Sequence, residues 1–194
     1  MKTGKENEML FILSVLKSPE IEYNANNLAK HLKLSAMGSL KIAKRLQKEE
    51  ILSAKKIGQA SIYKINSNKD YALEYSRFLL KKEAQDSNPY IKRWINEIRK
   101  IKSAKSAIIF GSVFQKNDKA NDIDVLFIVE QRNLQKLKNE IEEINLLNSK
   151  KIHPIFQAEI DLENNIRKKD GVILNAIKGV VVFGEDHIIK QLIK

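Results

Sequence analysis

Two apolar stretches of strand length, residues 107–110 and 123–129, constrain this chain more than any other feature. The first, Ala107-Ile108-Ile109-Phe110, runs into Gly111-Ser112, and the second is introduced by Asn121-Asp122-Ile123-Asp124. Both read as buried strands. Side chains alternate along a strand, so Asp122 and Asp124 point to one face. Two carboxylates placed that way repel each other unless a cation lies between them. A divalent metal such as Mg²⁺ resolves the repulsion and can bridge the phosphates of a bound nucleotide. The Gly111-Ser112 turn lets backbone N–H groups and a hydroxyl come close to phosphate, because glycine presents no side chain there.

The sequence that follows builds a domain around these strands. Residues 133–147 read as an amphipathic helix through Leu134, Leu137, Ile141, Ile144 and Leu147, which would cover the sheet. Residues 151–157 read as a further strand, and Pro154 within it favours an edge. Glu159 and Asp161 come late, at the start of the next loop or helix. Residues 162–177 read as a helix broken at Gly171, and residues 180–184 as a short buried strand.

In this order and at this spacing, the pattern resembles the DNA polymerase beta-like nucleotidyltransferases, and within them the minimal and antibiotic-modifying members, over residues 104–184. The resemblance implies an α/β domain with a mixed sheet and a nucleoside triphosphate held with Mg²⁺. It also implies transfer of a nucleotidyl group with release of pyrophosphate. Gly111 and Ser112 would hold the triphosphate, and Asp122 and Asp124 would be the metal ligands and catalytic residues. Such proteins carry Arg shortly after the Gly-Ser turn; here Lys116 or Lys119 would replace that charge. Their third carboxylate belongs on the strand at 151–157, where this chain has His153 next to Pro154. His153 reads either as a base or metal ligand, or as a surface histidine with no role; imidazole suits Mg²⁺ poorly. No third carboxylate is evident, so the sequence leaves transfer open and supports nucleotide binding with or without it.

The first third of the chain has a different character. Residues 1–66 hold twelve Lys and Arg against six Asp and Glu, whereas residues 105–194 hold fourteen against thirteen. Leu10, Ile12, Leu13 and Leu16 mark a helix over residues 6–18 that Pro19 ends. Asn24 or Asn26 caps a short helix at 27–32, and Ser35 caps a third at 36–50. Strands at 51–57 and 60–65 flank Gly58-Gln59, the tip of a hairpin. This succession resembles the winged helix-turn-helix of MarR-like regulators over residues 6–66, through Asn27-Leu28-Ala29-Lys30-His31-Leu32-Lys33-Leu34-Ser35, Leu46-Gln47-Lys48-Glu49-Glu50-Ile51-Leu52 and the Gly58 hairpin. The resemblance implies double-stranded DNA as partner. A recognition helix offers small polar groups to base edges and cations to phosphates. Ser35, Ser39, Lys41, Lys44 and Arg45 are candidates on the helix, and Lys55 and Lys56 on the hairpin.

Residues 71–83 and 90–101 read as two helices joined by a turn, with Pro89 opening the second. They either form a homodimer interface, as a helix after the wing often does, or pack the modules together. The chain has no cysteine, and its N-terminal apolar run is interrupted by Lys17. It has neither the length of a membrane span nor a signal-peptide cleavage site, so a cytoplasmic protein without a membrane partner is expected.

The expected chain is α+β: a winged helix-turn-helix at 1–66, a helical connector at 67–103, and a nucleotidyltransferase-like α/β domain at 104–194. Its expected function is that of a DNA-binding, transcription-regulator-like protein whose C-terminal domain binds nucleoside triphosphate and Mg²⁺. The alternative is an active nucleotidyltransferase that modifies a hydroxyl of a protein or small molecule.

Overall fold

The computed structural model describes residues 4–193 and is α+β. Its contacts group into two units, Met1–Leu79 with Leu192–Lys194, and Leu80–Gln191. No helix among the described residues is long and apolar enough to cross a membrane.

In the first unit, helices α1 (Gly4–Lys17), α2 (Ala25–Leu32) and α3 (Ala36–Lys48) precede a hairpin of β1 (Leu52–Ile57) and β2 (Ala60–Ile65). Apolar spacing alone starts α2 at residue 27, but the helix begins two residues earlier. Asn24 accepts from the N–H groups of Asn26 and Asn27, and the Asn27 side chain accepts from the Asn24 N–H in return. That reciprocal cap satisfies donors that would otherwise be orphaned. Lys33, in the left-handed region at φ 56°, ends α2, and its N–H reaches the Ala29 and Lys30 carbonyls. Ser35 then caps α3 by accepting from Gly38 N–H at 3.0 Å. The hairpin pairs Ile57 with Ala60, leaving Gly58 and Gln59 as a two-residue tip with Gly58 at φ 58°. Two-residue loops of this kind need a positive φ, which glycine adopts without strain. Phe11, Ile12, Leu16, Leu28, Ala43, Leu46 and Leu52 are buried to 1% exposure or less and form the core of this unit.

Helix α4 (Asp70–Asp86) contains the division, which falls between Leu79 and Leu80. Residues 67–79 thus group with the first unit and residues 80–103 with the second. Helix α5 (Pro89–Ile98), capped by Asn88 and opened by Pro89, gives Ile91, Trp94, Ile95 and Ile98 to the core of the second unit.

That unit is built on a four-stranded mixed sheet of β3 (Ser106–Phe110), β4 (Asp122–Ile128), β5 (Lys151–Gln157) and β6 (Val180–Phe183), in the order β5-β4-β3-β6. Strand β3 runs antiparallel to both β4 and β6, whereas β4 and β5 are parallel. A parallel pair needs a long crossover, here α7 (Leu134–Leu147). A four-residue helix, α6 (Val113–Lys116), follows β3. Two helices, α8 (Glu159–Arg167) and α9 (Gly171–Ala176), lie between β5 and β6. Pro154 sits in the edge strand β5, where a missing N–H costs the ladder least.

Alternation divides the sheet into two faces. Ala107, Ile109, Ile123, Val125, Phe127, Ile152 and Val180 pack with α5 and with Leu137, Ile141 and Ile144 of α7. The opposite face carries Ile108, Leu126 and Ile155 in register. Helices α8 and α9 lie on that face. Asn165 of α8 donates to Gln157 at 2.8 Å, and Asn175 of α9 lines a cleft with Phe110.

Candidate functional site

Asp122 and Asp124 open β4, both half-buried, on the face that carries Leu126. The register of the sheet completes their surroundings. Asp124 is opposite Phe110, the last residue of β3, so the bend that follows β3 lies against it. On its other side Asp124 is opposite His153 of β5, and the His153 Nδ1 lies 2.9 Å from Asp124 Oδ1. One ligand atom from each of Asp122, Asp124 and His153 lies within 4.8 Å of the others, the one group of this kind among the described residues. Two hard carboxylates and one imidazole are a donor set that fits a divalent cation.

Gly111 is part of the same geometry. Its φ of 83° lies in the left-handed region, and a Cβ built on it would lie 2.2 Å from Asp124 Oδ2. The glycine thus turns the chain and also leaves the space that the second oxygen of Asp124 occupies. Ser112 follows at φ −66°, and its hydroxyl makes no cap hydrogen bond to α6. Gly111→Ala is expected to cost about 1–3 kcal/mol for the strained backbone and to displace the Asp124 carboxylate. Thermal unfolding with and without a divalent cation checks both effects; an unchanged melting temperature would contradict them.

An open cleft of about 490 Å³ lies beside the bend, lined by Gly111, Ser112, Phe114, Gln115, Asn175, Lys178 and Gly179, with Phe110. Asn175, Lys178 and Gly179 escape a linear reading, because β6 neighbours β3 only after folding, some seventy residues downstream. Gly179 is required by contact: a Cβ there would lie 2.1 Å from the Ile109 carbonyl oxygen. Lys116, expected beside the phosphates, ends α6 as an exposed side chain and is not part of the cleft wall, whereas Lys178 is.

The hydrogen bond that protonated His153 donates from Nδ1 to the Asp124 carboxylate raises the pKa of His153 above the ordinary histidine value. Desolvation opposes the rise, and the charges of Asp124 and Asp122 add to it. The sign follows directly. A raised folded pKa gives stability that is fully present below the unfolded value and is lost as pH rises through the folded one. A cation held there would have to displace that proton, so its binding would tighten over the same rise in pH. Histidine NMR should show His153 titrating above its unfolded value, and Asp124→Asn should bring it down. A titration that this substitution leaves unmoved would refute the assignment.

The expected DNA contacts in the first unit do not all lie at the surface. Lys41, Lys44 and Lys48 are exposed along one face of α3, as is Met37. Ser39 is a correction: it is fully buried, and its hydroxyl donates to the Ala25 carbonyl at 2.6 Å, tying α3 to α2. The helical period turns position 39 inward with Ala43 and Leu46. Ser35 is exposed but serves as the α3 cap. Arg45 forms an ion pair with Glu8 of α1. Lys55 and Lys56 are both exposed, yet as neighbours on β1 they project to opposite faces of the hairpin. A second cleft of about 320 Å³ lies between the start of α3 and the hairpin, lined in part by Asn24, Met37, Gln59 and Ser61.

Neither of the remaining histidines lies beside a pair of carboxylates as His153 does. His31 packs against the Tyr23 ring, and His187 lies 3.3 Å from Glu159.

No protein-family model matches this chain, and neither the curated proteins nor the solved structures compared with it give a match.

Proposed function

We propose that the second unit binds a nucleoside triphosphate together with a divalent cation, as a nucleotidyltransferase-like domain, and that the first unit binds double-stranded DNA as a winged helix-turn-helix does. One observation carries the first part: Asp122, Asp124 and His153 meet at one end of the sheet with the Gly111-Ser112 bend against them. A divalent cation there would offset the repulsion between the two carboxylates and balance phosphate charge. Asp122, Asp124 and His153 would hold it. Backbone N–H groups at the bend and the Ser112 hydroxyl would face phosphate oxygens. Lys178, Asn175 and Gln115 line the cleft along which the rest of the ligand would lie.

Thermal unfolding of the full chain with ATP, GTP, CTP or UTP, each with Mg²⁺ or Mn²⁺, tests this. A ligand at 100 times its dissociation constant should stabilise the native unit by about 2.7 kcal/mol. No shift with any combination would sink the proposal. The DNA part rests on the exposed lysines of α3 and the hairpin. Fluorescence anisotropy with labelled duplex, with and without nucleotide and metal, measures the affinity and any coupling between the units; identical curves would remove the coupling.

A second reading, catalytic transfer to a hydroxyl, is favoured by the cleft continuing past the bend to Asn175 and Lys178, which leaves room for more than phosphate. Incubation with labelled triphosphates and release of pyrophosphate decides between binding and transfer.

A further inference from the structure

The residue opposite Asp124 is the chemically distinctive part of this site, because it adds a nitrogen donor to a pair of carboxylates. We infer that the site takes a first-row transition dication of octahedral habit in preference to Mg²⁺, with His153 Nδ1 as one ligand. The inference rests on the metal site proposed above and deepens it.

Three observations carry it. First, the donor set is mixed: two carboxylates and an imidazole, each offering an atom within 4.8 Å of the others. Mg²⁺ is hard, binds oxygen and keeps its waters, whereas first-row transition ions accept imidazole readily. Second, His153 Nδ1 and Asp124 Oδ1 are 2.9 Å apart. That is a hydrogen-bond length, and it is also close to the spacing of adjacent ligands on an octahedral ion, about 3.0 Å for metal–ligand bonds near 2.1 Å. Adjacent ligands of a tetrahedral zinc ion lie farther apart, about 3.4 Å. A cation can therefore replace the shared proton without a change in the spacing of the two donor atoms, each turning to aim at the ion. Third, the pairing is fixed by the backbone. His153 and Asp124 are register partners on adjacent parallel strands, and Pro154 follows directly on the same strand. The glycine at 111 leaves Asp124 Oδ2 room without a Cβ against it.

His153 is largely exposed, with 65% of its side chain accessible, so it can be replaced with little cost to packing. The test uses the full chain and metal ions alone. Isothermal titration measures Mn²⁺ and Mg²⁺ binding to the wild type, His153→Ala and His153→Asp, with circular dichroism confirming that each variant is folded. Mn²⁺ is the stringent probe, since it shares the octahedral habit of Mg²⁺ and lies at the weak end of the transition series. The expected result is a Mn²⁺ preference of at least about tenfold in the wild type, sharply reduced in His153→Asp as Mg²⁺ binding improves. Pulsed EPR of the Mn²⁺-loaded wild type should show ¹⁴N coupling from a directly bound imidazole, absent from both variants.

A metal preference unchanged by either substitution, a Mn²⁺ spectrum without ¹⁴N coupling, or no binding of either ion would each overturn the inference. A separate ATP titration keeps the two readings apart. Mn²⁺ bound through His153 with no nucleotide affinity would sink the triphosphate reading and leave this one standing. Nucleotide binding together with a Mn²⁺ spectrum that lacks ¹⁴N coupling would do the reverse.

Discussion

Asp124→Asn is expected to abolish the stabilisation that divalent cation and nucleoside triphosphate would confer under the proposed reading, while leaving the ligand-free protein folded. The asymmetry comes from the site itself. Without a cation, Asp122 and Asp124 share one face of β4 and repel each other, so neutralising one of them removes an unfavourable term. The opposing loss is the contact with His153, which is largely exposed, so solvent screens it. Asn keeps the shape of the side chain and fits beside Gly111 as Asp does. With cation and nucleotide the balance reverses, because Asn supplies a weaker neutral ligand where the charge of the bound ion needs an anion. The expected loss at saturating ligand is the whole mass-action term, about 2.7 kcal/mol at 100 times the dissociation constant, or on the order of 10 °C for a unit of this size. Differential scanning calorimetry of wild type and variant, with and without ligand, gives all four values. A variant that keeps its ligand-dependent shift would show that the cation is bound elsewhere.

How much of this site the sequence could reveal depended on distance along the chain. The pairing of Asp122 with Asp124 is a local fact of strand alternation, and the role of Gly111 as a bend follows from its place after an apolar strand. Both can be read from neighbouring residues. His153 could be placed on a strand, and Pro154 pointed to an edge, but its position opposite Asp124 depends on parallel register across the α7 crossover. No local signal encodes that register. Lys178 and Asn175 reach the bend only because β6 pairs with β3. Lys116 is close to the bend in sequence and ends α6 as an exposed residue outside the cleft lining.

In the first unit the helices were legible because capping residues punctuate them, with Asn24 and Ser35 as the clearest marks. The start of α2 was misplaced by two residues because Asn27 is both helical and a partner in the cap. The inward turn of Ser39 was missed for a chemical reason. A serine reads as polar, yet its hydroxyl is satisfied inside by a backbone carbonyl, and a satisfied hydroxyl is tolerated in a core.

That distinction between satisfied and available polar groups decides which residues should govern DNA affinity. Lys41→Glu with Lys44→Glu is expected to weaken duplex binding by about 100-fold at low salt, since two phosphate contacts are lost and two repulsions gained. The slope of log affinity against log salt should fall by about two. Ser39→Ala should instead cost roughly 1 kcal/mol of stability and leave the folded protein's affinity unchanged, because it removes an interior hydrogen bond. Arg45→Ala should act more through α1 than through DNA, its guanidinium being paired with Glu8. Lys55→Glu and Lys56→Glu should differ from each other, since the two side chains leave the hairpin on opposite faces and one flat ligand cannot engage both equally. Anisotropy titrations at several salt concentrations separate these cases. If the α3 double variant binds duplex as tightly as the wild type, the exposed lysine face is only a solvated surface, and the first unit recognises something other than DNA.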